Sequence, residues 1–167
     1  MLRVLKYKDK KPISMEFNIY IPVYIEFGSW DISIEPTVYW RIGDSKKSVM
    51  EIGIGRYRGD IRSVALNFCD KVNVLEDINI SNKKIMEGLP IVQFDKIWSE
   101  TYIDEKSNLK IYLYKDQVYI LFSEKEIMSI IQNDRVGFGL DINNDICCIL
   151  AKGLNENDKA AFLQYEN

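Results

Sequence analysis

The chain contains no histidine. That removes the commonest general base, the Ser-His-Asp and Cys-His nucleophile arrangements, and every zinc site built on imidazole. What remains is carboxylate, lysine or tyrosine chemistry, or oxygen-ligated magnesium or calcium. The densest mixture of such groups lies in segment 94–105, where Asp95, Glu100, Asp104 and Glu105 accompany Trp98 and Tyr102. Trp and Tyr supply large contact area at low entropic cost, and an acidic rim steers a cationic partner, so these six residues form the expected partner-binding site. The plainer alternative makes Trp98 a core residue and the acids a solvated edge. As an acid and base pair, Glu100 and Asp104 would need a fixed separation and a perturbed carboxyl, and spacing alone supplies neither.

Three other groupings invite chemistry and read better as structure. Asp141-Ile142-Asn143-Asn144-Asp145 has the alternating oxygen ligands that open a calcium loop, but Ile146 stands where the sharp turn needs Gly and Lys152 where the bidentate Glu belongs. A hairpin turn is the expectation there. Gly53, Gly55 and Gly59 have a spacing that fits neither phosphate-binding fingerprint, and they read as a bulge or close strand packing. Arg56, Arg58 and Arg62 beside them read as a solvated strand end, with anion binding as the alternative. Cys147 and Cys148 alternate across a strand, so one thiol is expected to face the core and the other outward, with no His to activate either. No metal and no cofactor is expected.

The elements that must position these residues are mostly strands. Apolar residues fill every odd position over 13–27, the period of a strand with one buried face, and Pro22 makes this an edge strand bulged there or two strands divided there, with a bent edge strand the expectation. After Gly28-Ser29 the alternation resumes on even positions with Trp30, Ile32, Ile34, Val38, Trp40 and Ile42. Shorter alternations at Met50–Ile54, Val64–Phe68 and Val72–Val74 complete a β meander. Residues 76–90 lose the pattern and are expected to be a loop or one helical turn. Hairpins are expected over 109–122 and 136–150, and 123–132 fits a short helix or a strand. Asn155, followed by Glu156 and Asp158, opens the clearest helix signal, over 154–165. Tyr20, Tyr24, Tyr39, Tyr112 and Tyr119 fall opposite the main apolar stripe, on faces that are either covered by a second layer or left adhesive.

With 167 residues, 47% hydrophobic and 28% charged, the chain has globular composition and the size of one domain. The fold expected is a single α+β domain over 1–167: β-dominated, with antiparallel sheets packed as a sandwich and a C-terminal helix. An incomplete barrel is the alternative. The start, MLRVLKYKDKK, lacks the apolar core of a secretory signal, no run reaches membrane-spanning length, and three cysteines with no disulfide spacing fit a reducing compartment. A cytoplasmic protein without membrane contact is the expectation. The net charge of −3 argues against nucleic acid. Residues 1–83 carry 13 basic and 11 acidic side chains and residues 84–167 carry 9 and 14, so the second half is the one suited to a basic partner.

The second half, roughly 88–165, resembles small bacterial proteins of the toxin-immunity kind. The likeness lies in GLP, a Trp, Asp104-Glu105, a hairpin, VGFGLDINNDICCIL and a helix opening at Leu154-Asn155. The resemblance implies a non-enzymatic, cytoplasmic α+β domain that neutralises a cognate toxin by occluding its active surface, and the acidic balance of the second half makes a basic toxin domain the expected partner. It supplies no residue roles. The alternative is a carbohydrate-binding or other ligand-binding β sandwich, which would show an aromatic-lined cleft.

Overall fold

The structure, a computed structural model, describes residues 1–77, 82–93 and 99–165. Fifteen strands are present among them: β1 Arg3–Lys8, β2 Ile13–Glu16, β3 Val23–Phe27, β4 Thr37–Asp44, β5 Ser48–Gly55, β6 Ile61–Phe68, β7 Val72–Val74, β8 Lys84–Glu87, β9 Leu89–Gln93, β10 Tyr102–Lys106, β11 Lys110–Tyr114, β12 Gln117–Leu121, β13 Ser129–Asn133, β14 Val136–Leu140 and β15 Ile146–Lys152. One helix, α1 Glu156–Leu163, follows.

They form a six-stranded sheet in the order β10-β4-β5-β6-β3-β2 and a seven-stranded sheet in the order β7-β11-β12-β15-β14-β13-β8. Most pairs are antiparallel, but the edge strands β10, β7 and β8 pair in parallel. Alternation places Ile25, Phe27, Trp40, Ile52 and Val64 of the first sheet and Ile111, Ile120, Phe138 and Ile149 of the second in one core. Trp40 meets Phe122 edge to face at 5.6 Å between ring centroids, and Phe27 meets Phe138 at 5.7 Å. The β1–β9 ribbon links the two sheets. On one side β9 bonds the β5–β6 connection, through Val92 N–H to the Gly59 carbonyl; on the other, the Leu2 and Val4 backbone bonds Ile146 and Asn144. The sheets do not close into a barrel.

Several local expectations are corrected. The 13–27 alternation is divided into the antiparallel pair β2–β3, because Asn18 Oδ1 accepts the Tyr20 and Ile21 N–H groups and turns the chain before Pro22. The pairing of Ile13 with Phe27 keeps the odd residues of β2 and β3 on the core side, while Ile19 and Ile21 between the two strands are exposed. Trp30, Ile32 and Ile34 are not on a strand: Asp31 Oδ1 caps Ser33, Glu35 is drawn inward, and β4 starts only after Pro36, leaving Ile32 and Ile34 exposed. The stretch 76–90 contains β8, an edge strand that alternation could not reveal because both its faces carry exposed residues. Of the two readings of 123–132 the strand is the one found, as β13 after a loop.

The helix has the Asn155 N-cap its sequence announces, completed as a capping box, with Asn155 Oδ1 accepting the Asp158 N–H and Asp158 Oδ2 accepting the Asn155 N–H. Phe162 is its buried residue and meets Phe17 at 5.8 Å. Among the described residues no helix is long and apolar enough to cross a membrane.

Candidate functional site

The expected site is only partly gathered. Asp95 and Trp98 lie outside the described residues, so the choice between a core and an interface Trp98 lies there too. The other four sit on or beside β10, an edge strand whose parallel register sets Tyr102 beside Tyr39 and Asp104 beside Arg41. Strand alternation turns Tyr102, Asp104 and Lys106 to the outer face of the sheet and Ile103 and Glu105 toward the core.

On that outer face the Tyr39 and Tyr102 rings stack, with centroids 5.5 Å apart and planes 23° off parallel. The Arg41 guanidinium lies 4.5 Å over the Tyr102 ring and forks onto Asp104, with Nε to Oδ1 at 2.6 Å and Nη2 to Oδ2 at 2.9 Å. A bidentate pair fixes orientation as well as distance, so the aromatic stack is held in one arrangement. Glu105 faces the other way: its Oε2 accepts Trp40 Nε1 at 3.0 Å and the Met1 ammonium at 2.7 Å. Glu100 is exposed, and its carbonyl accepts Arg56 Nη2 at 3.5 Å. Two of the expected carboxylates thus already hold cations.

Through Arg56 this face continues onto the connections at the end of the sheet, which present Ile32, Ile34 and Tyr57 to solvent, Tyr57 at 75% exposure. A buried ionic cluster holds those connections. Glu35 Oε1 accepts the backbone N–H of Tyr57 and of Arg58, and Oε2 accepts Arg58 Nε at 2.7 Å and Arg62 Nη2 at 2.9 Å. Arg62, fully buried, also donates Nη1 to the Glu35 carbonyl and to Thr37 Oγ1, and its guanidinium lies over the Trp30 ring. Burial alone would push the Glu35 carboxyl up; the Arg58 and Tyr57 N–H groups and the Arg58 guanidinium outweigh it and hold the carboxyl below its ordinary range. The three arginines are therefore not one solvated end: Arg58 and Arg62 are committed to Glu35. Gly53 and Gly59 behave as expected of packing glycines. Gly53 sits at a bulge against Ser63, and Gly59, at φ +72°, lies against the Val92 carbonyl.

The same outer face opens, toward the β4–β5 hairpin, into a cleft of about 1070 Å³ lined by Arg41, Glu51, Phe68, Asp104, Lys106 and the hairpin lysines Lys46 and Lys47, among others. Phe68 is its one aromatic. Glu51 is half-buried there, and no hydrogen-bond donor among the described residues reaches its carboxylate. Burial pushes that carboxyl up, and the nearby Arg41 charge offsets this only in part.

The remaining groupings are structural. Asp141 Oδ1 accepts the Asn143 and Asp145 N–H groups, Asn144 takes φ +62°, and Lys125 Nζ reaches Asp141 Oδ2 at 2.7 Å and Asp145 Oδ2 at 3.8 Å. The lysine charge stands where a cation would, and the turn is a hairpin turn as expected. Among the described residues no three His, Cys, Asp or Glu side chains converge as a metal set. Cys147 corrects its expectation: both neighbouring thiols are buried, because Tyr112, Tyr114, Leu121 and Ile127 cover the outer face of the seven-stranded sheet as well. Burial pushes the Cys147 and Cys69 thiols up to about 11 and Cys148 well above its ordinary value, so none is poised as a nucleophile.

Tyr39 and Arg41 were missed as site residues, although Tyr39 stood among the tyrosines assigned to a non-core face. No family model and no curated protein matches the chain.

Proposed function

We propose that this chain is a non-enzymatic protein-binding domain of the immunity type, which neutralises a cognate bacterial toxin in the cytoplasm by covering its active surface. The observation that supports this reading is the ordered, solvent-facing set Tyr39, Tyr102, Arg41 and Asp104. Tyr and Arg dominate the energetics of protein interfaces, and side chains already fixed before binding lose less entropy on docking. Tyr102, half exposed beside an arginine already paired, has the character of an interface anchor. The acidic balance of the second half adds attraction for a basic partner, though Asp104 contributes less to it than its charge suggests, because Arg41 neutralises it.

The test is co-expression with the neighbouring reading frame. A toxin-like product that arrests growth alone, and is tolerated and co-purified with this chain, supports the reading. A neighbouring product that is neither toxic nor bound by this chain counts against it.

The cleft favours a second reading, a ligand-binding β sandwich. Its lining is charged, with Phe68 alone offering a ring, which is poor for stacking sugars. Binding to a panel of oligosaccharides, lost on Phe68→Ala, would move the account to this reading.

A further inference from the structure

We propose that Cys147 and Cys148 form a gated thiol pair: the strap over residues 123–128 is its lid, Lys125 is the latch, and local opening of the strap presents the pair to a small thiol-directed electrophile while the two sheets stay packed.

A β-bulge sets the pair. Gly139 on β14 faces Cys148 on β15 and Leu140 faces Ile146, so Cys147 is the extra residue between them. Strict alternation would put neighbouring thiols on opposite faces of the sheet. The bulge cancels that: Ile146, Ile149 and Ala151 belong to the core between the sheets, whereas Cys147, Cys148 and Leu150 belong to the cluster on the outer face. Cys147 Sγ donates to the Gly139 carbonyl at 3.4 Å.

The cover over the two thiols is thin. Residues 123–128 join β12 to β13, and of these only Ser123 and Ile127 are half-buried. Ile127 packs against the thiol cluster, and a Cβ on Gly139 would meet Ile127 Cδ1 at 3.4 Å and Cys148 Cβ at 3.2 Å, so glycine at 139 gives Ile127 its seat beside the thiol. The Lys110–Glu124 and Lys83–Glu126 pairs lie on the surface, where an ion pair contributes little.

The Lys125 pair differs because its acceptor is buried. The Asp141 side chain is 1% exposed; its Oδ1 takes the Asn143 and Asp145 N–H groups, and among the described residues its Oδ2 faces only Lys125 Nζ, at 2.7 Å. Without the ammonium that oxygen would carry a desolvated charge, and lifting the strap would rehydrate it. One ion pair and one apolar anchor thus hold the lid shut. Few buried apolar contacts and exposed neighbours are the marks of a segment that opens locally, at less cost than the whole fold.

The experiment follows N-ethylmaleimide addition to each cysteine of the native protein by peptide mass spectrometry, in wild type, Lys125→Met, Lys125→Arg and Ile127→Ala. The reagent adds the thiol across its double bond, with no leaving group. In wild type the pair should react slowly, with a urea dependence well below that of global unfolding. Lys125→Met should speed addition at the pair by about tenfold or more, since a bond to a charged group is lost. Lys125→Arg keeps the cation and should restore most of the protection, and Ile127→Ala should also speed addition. Cys69 belongs to the core between the sheets and reports general loosening, so its rate should stay the same in all four proteins. Unchanged labelling of the pair in Lys125→Met, equal acceleration at Cys69, or a wild-type urea slope equal to that of global unfolding would each overturn the gate.

Discussion

Glu35→Ala removes the centre of the buried ionic cluster and tests whether that cluster holds the connections at the end of the six-stranded sheet. The carboxylate accepts four hydrogen bonds, from the Tyr57 and Arg58 backbone N–H groups, Arg58 Nε and Arg62 Nη2. Its loss leaves the Arg62 guanidinium, 1% exposed, with Thr37, a backbone carbonyl and an Asp60 carboxylate no nearer than 3.8 Å. Breaking a buried pair from one side costs about 3–5 kcal/mol, because the remaining charge stays desolvated. For a chain of this length that is a fall in melting temperature of roughly 6–20 °C. Arg62→Met should cost less, since Glu35 keeps three of its four donors. Because Glu35 is held below its ordinary pKa, its contribution is present above the unfolded carboxyl range, about pH 4, and is lost as pH falls through the lowered folded value. Urea unfolding of wild type and both variants at pH 7 and in acid checks this. A loss under about 1 kcal/mol for Glu35→Ala at pH 7, with an unchanged denaturant slope, would refute the reasoning.

Glu51→Gln should slightly raise the melting temperature of the free protein at pH 7, because burial disfavours the charged Glu51 carboxylate. A raised folded pKa makes this carboxylate unfavourable above that pKa and neutral below the unfolded one, so the gain should vanish below about pH 4; melts at both pH values decide it. A chelator should leave the melting temperature unchanged, and a fall of several degrees would point to Asp141 and Asp145. All three cysteines should resist a thiol reagent in the native protein and react fully once it is unfolded, and an intact mass two units low would reveal a bridge instead.

Sequence periodicity was informative where the two faces of a strand differ in burial, as in β3 and β4, whereas β14 and β15 are buried on both faces and were marked by the Asn143-Asn144-Asp145 turn between them. The Asn155 N-cap with Glu156 and Asp158 behind it announced the helix because that signal is local. Trp30, Ile32 and Ile34 alternate like a strand, but periodicity does not register that Glu35 pairs with Arg62 and that Pro36 delays the ladder. Segment 94–105 was identified by its acids and aromatics; the meaning of its described part was not, because the pairing of Asp104 with Arg41 spans 63 residues and depends on β10 docking in parallel on β4. Glu105 looked equivalent to Asp104 in sequence, yet alternation turns it toward Trp40. Long-range register decides which carboxylates are displayed, and composition carries no record of it.

The most direct test of the central claim is the affinity of the purified chain for the product of the neighbouring reading frame, measured for wild type, Tyr102→Ala and the Asp104→Ala/Glu105→Ala double variant. The account predicts that Tyr102→Ala costs about 2 kcal/mol of binding, close to thirtyfold in Kd, with little change in melting temperature. The double variant should slow association and flatten its salt dependence through the loss of Asp104, and should also lower the melting temperature through the loss of Glu105, which holds Trp40 Nε1 and the Met1 ammonium. A tight complex whose Kd and association rate at low salt are the same for all three proteins, each folded, would contradict the claim that this face is the docking surface.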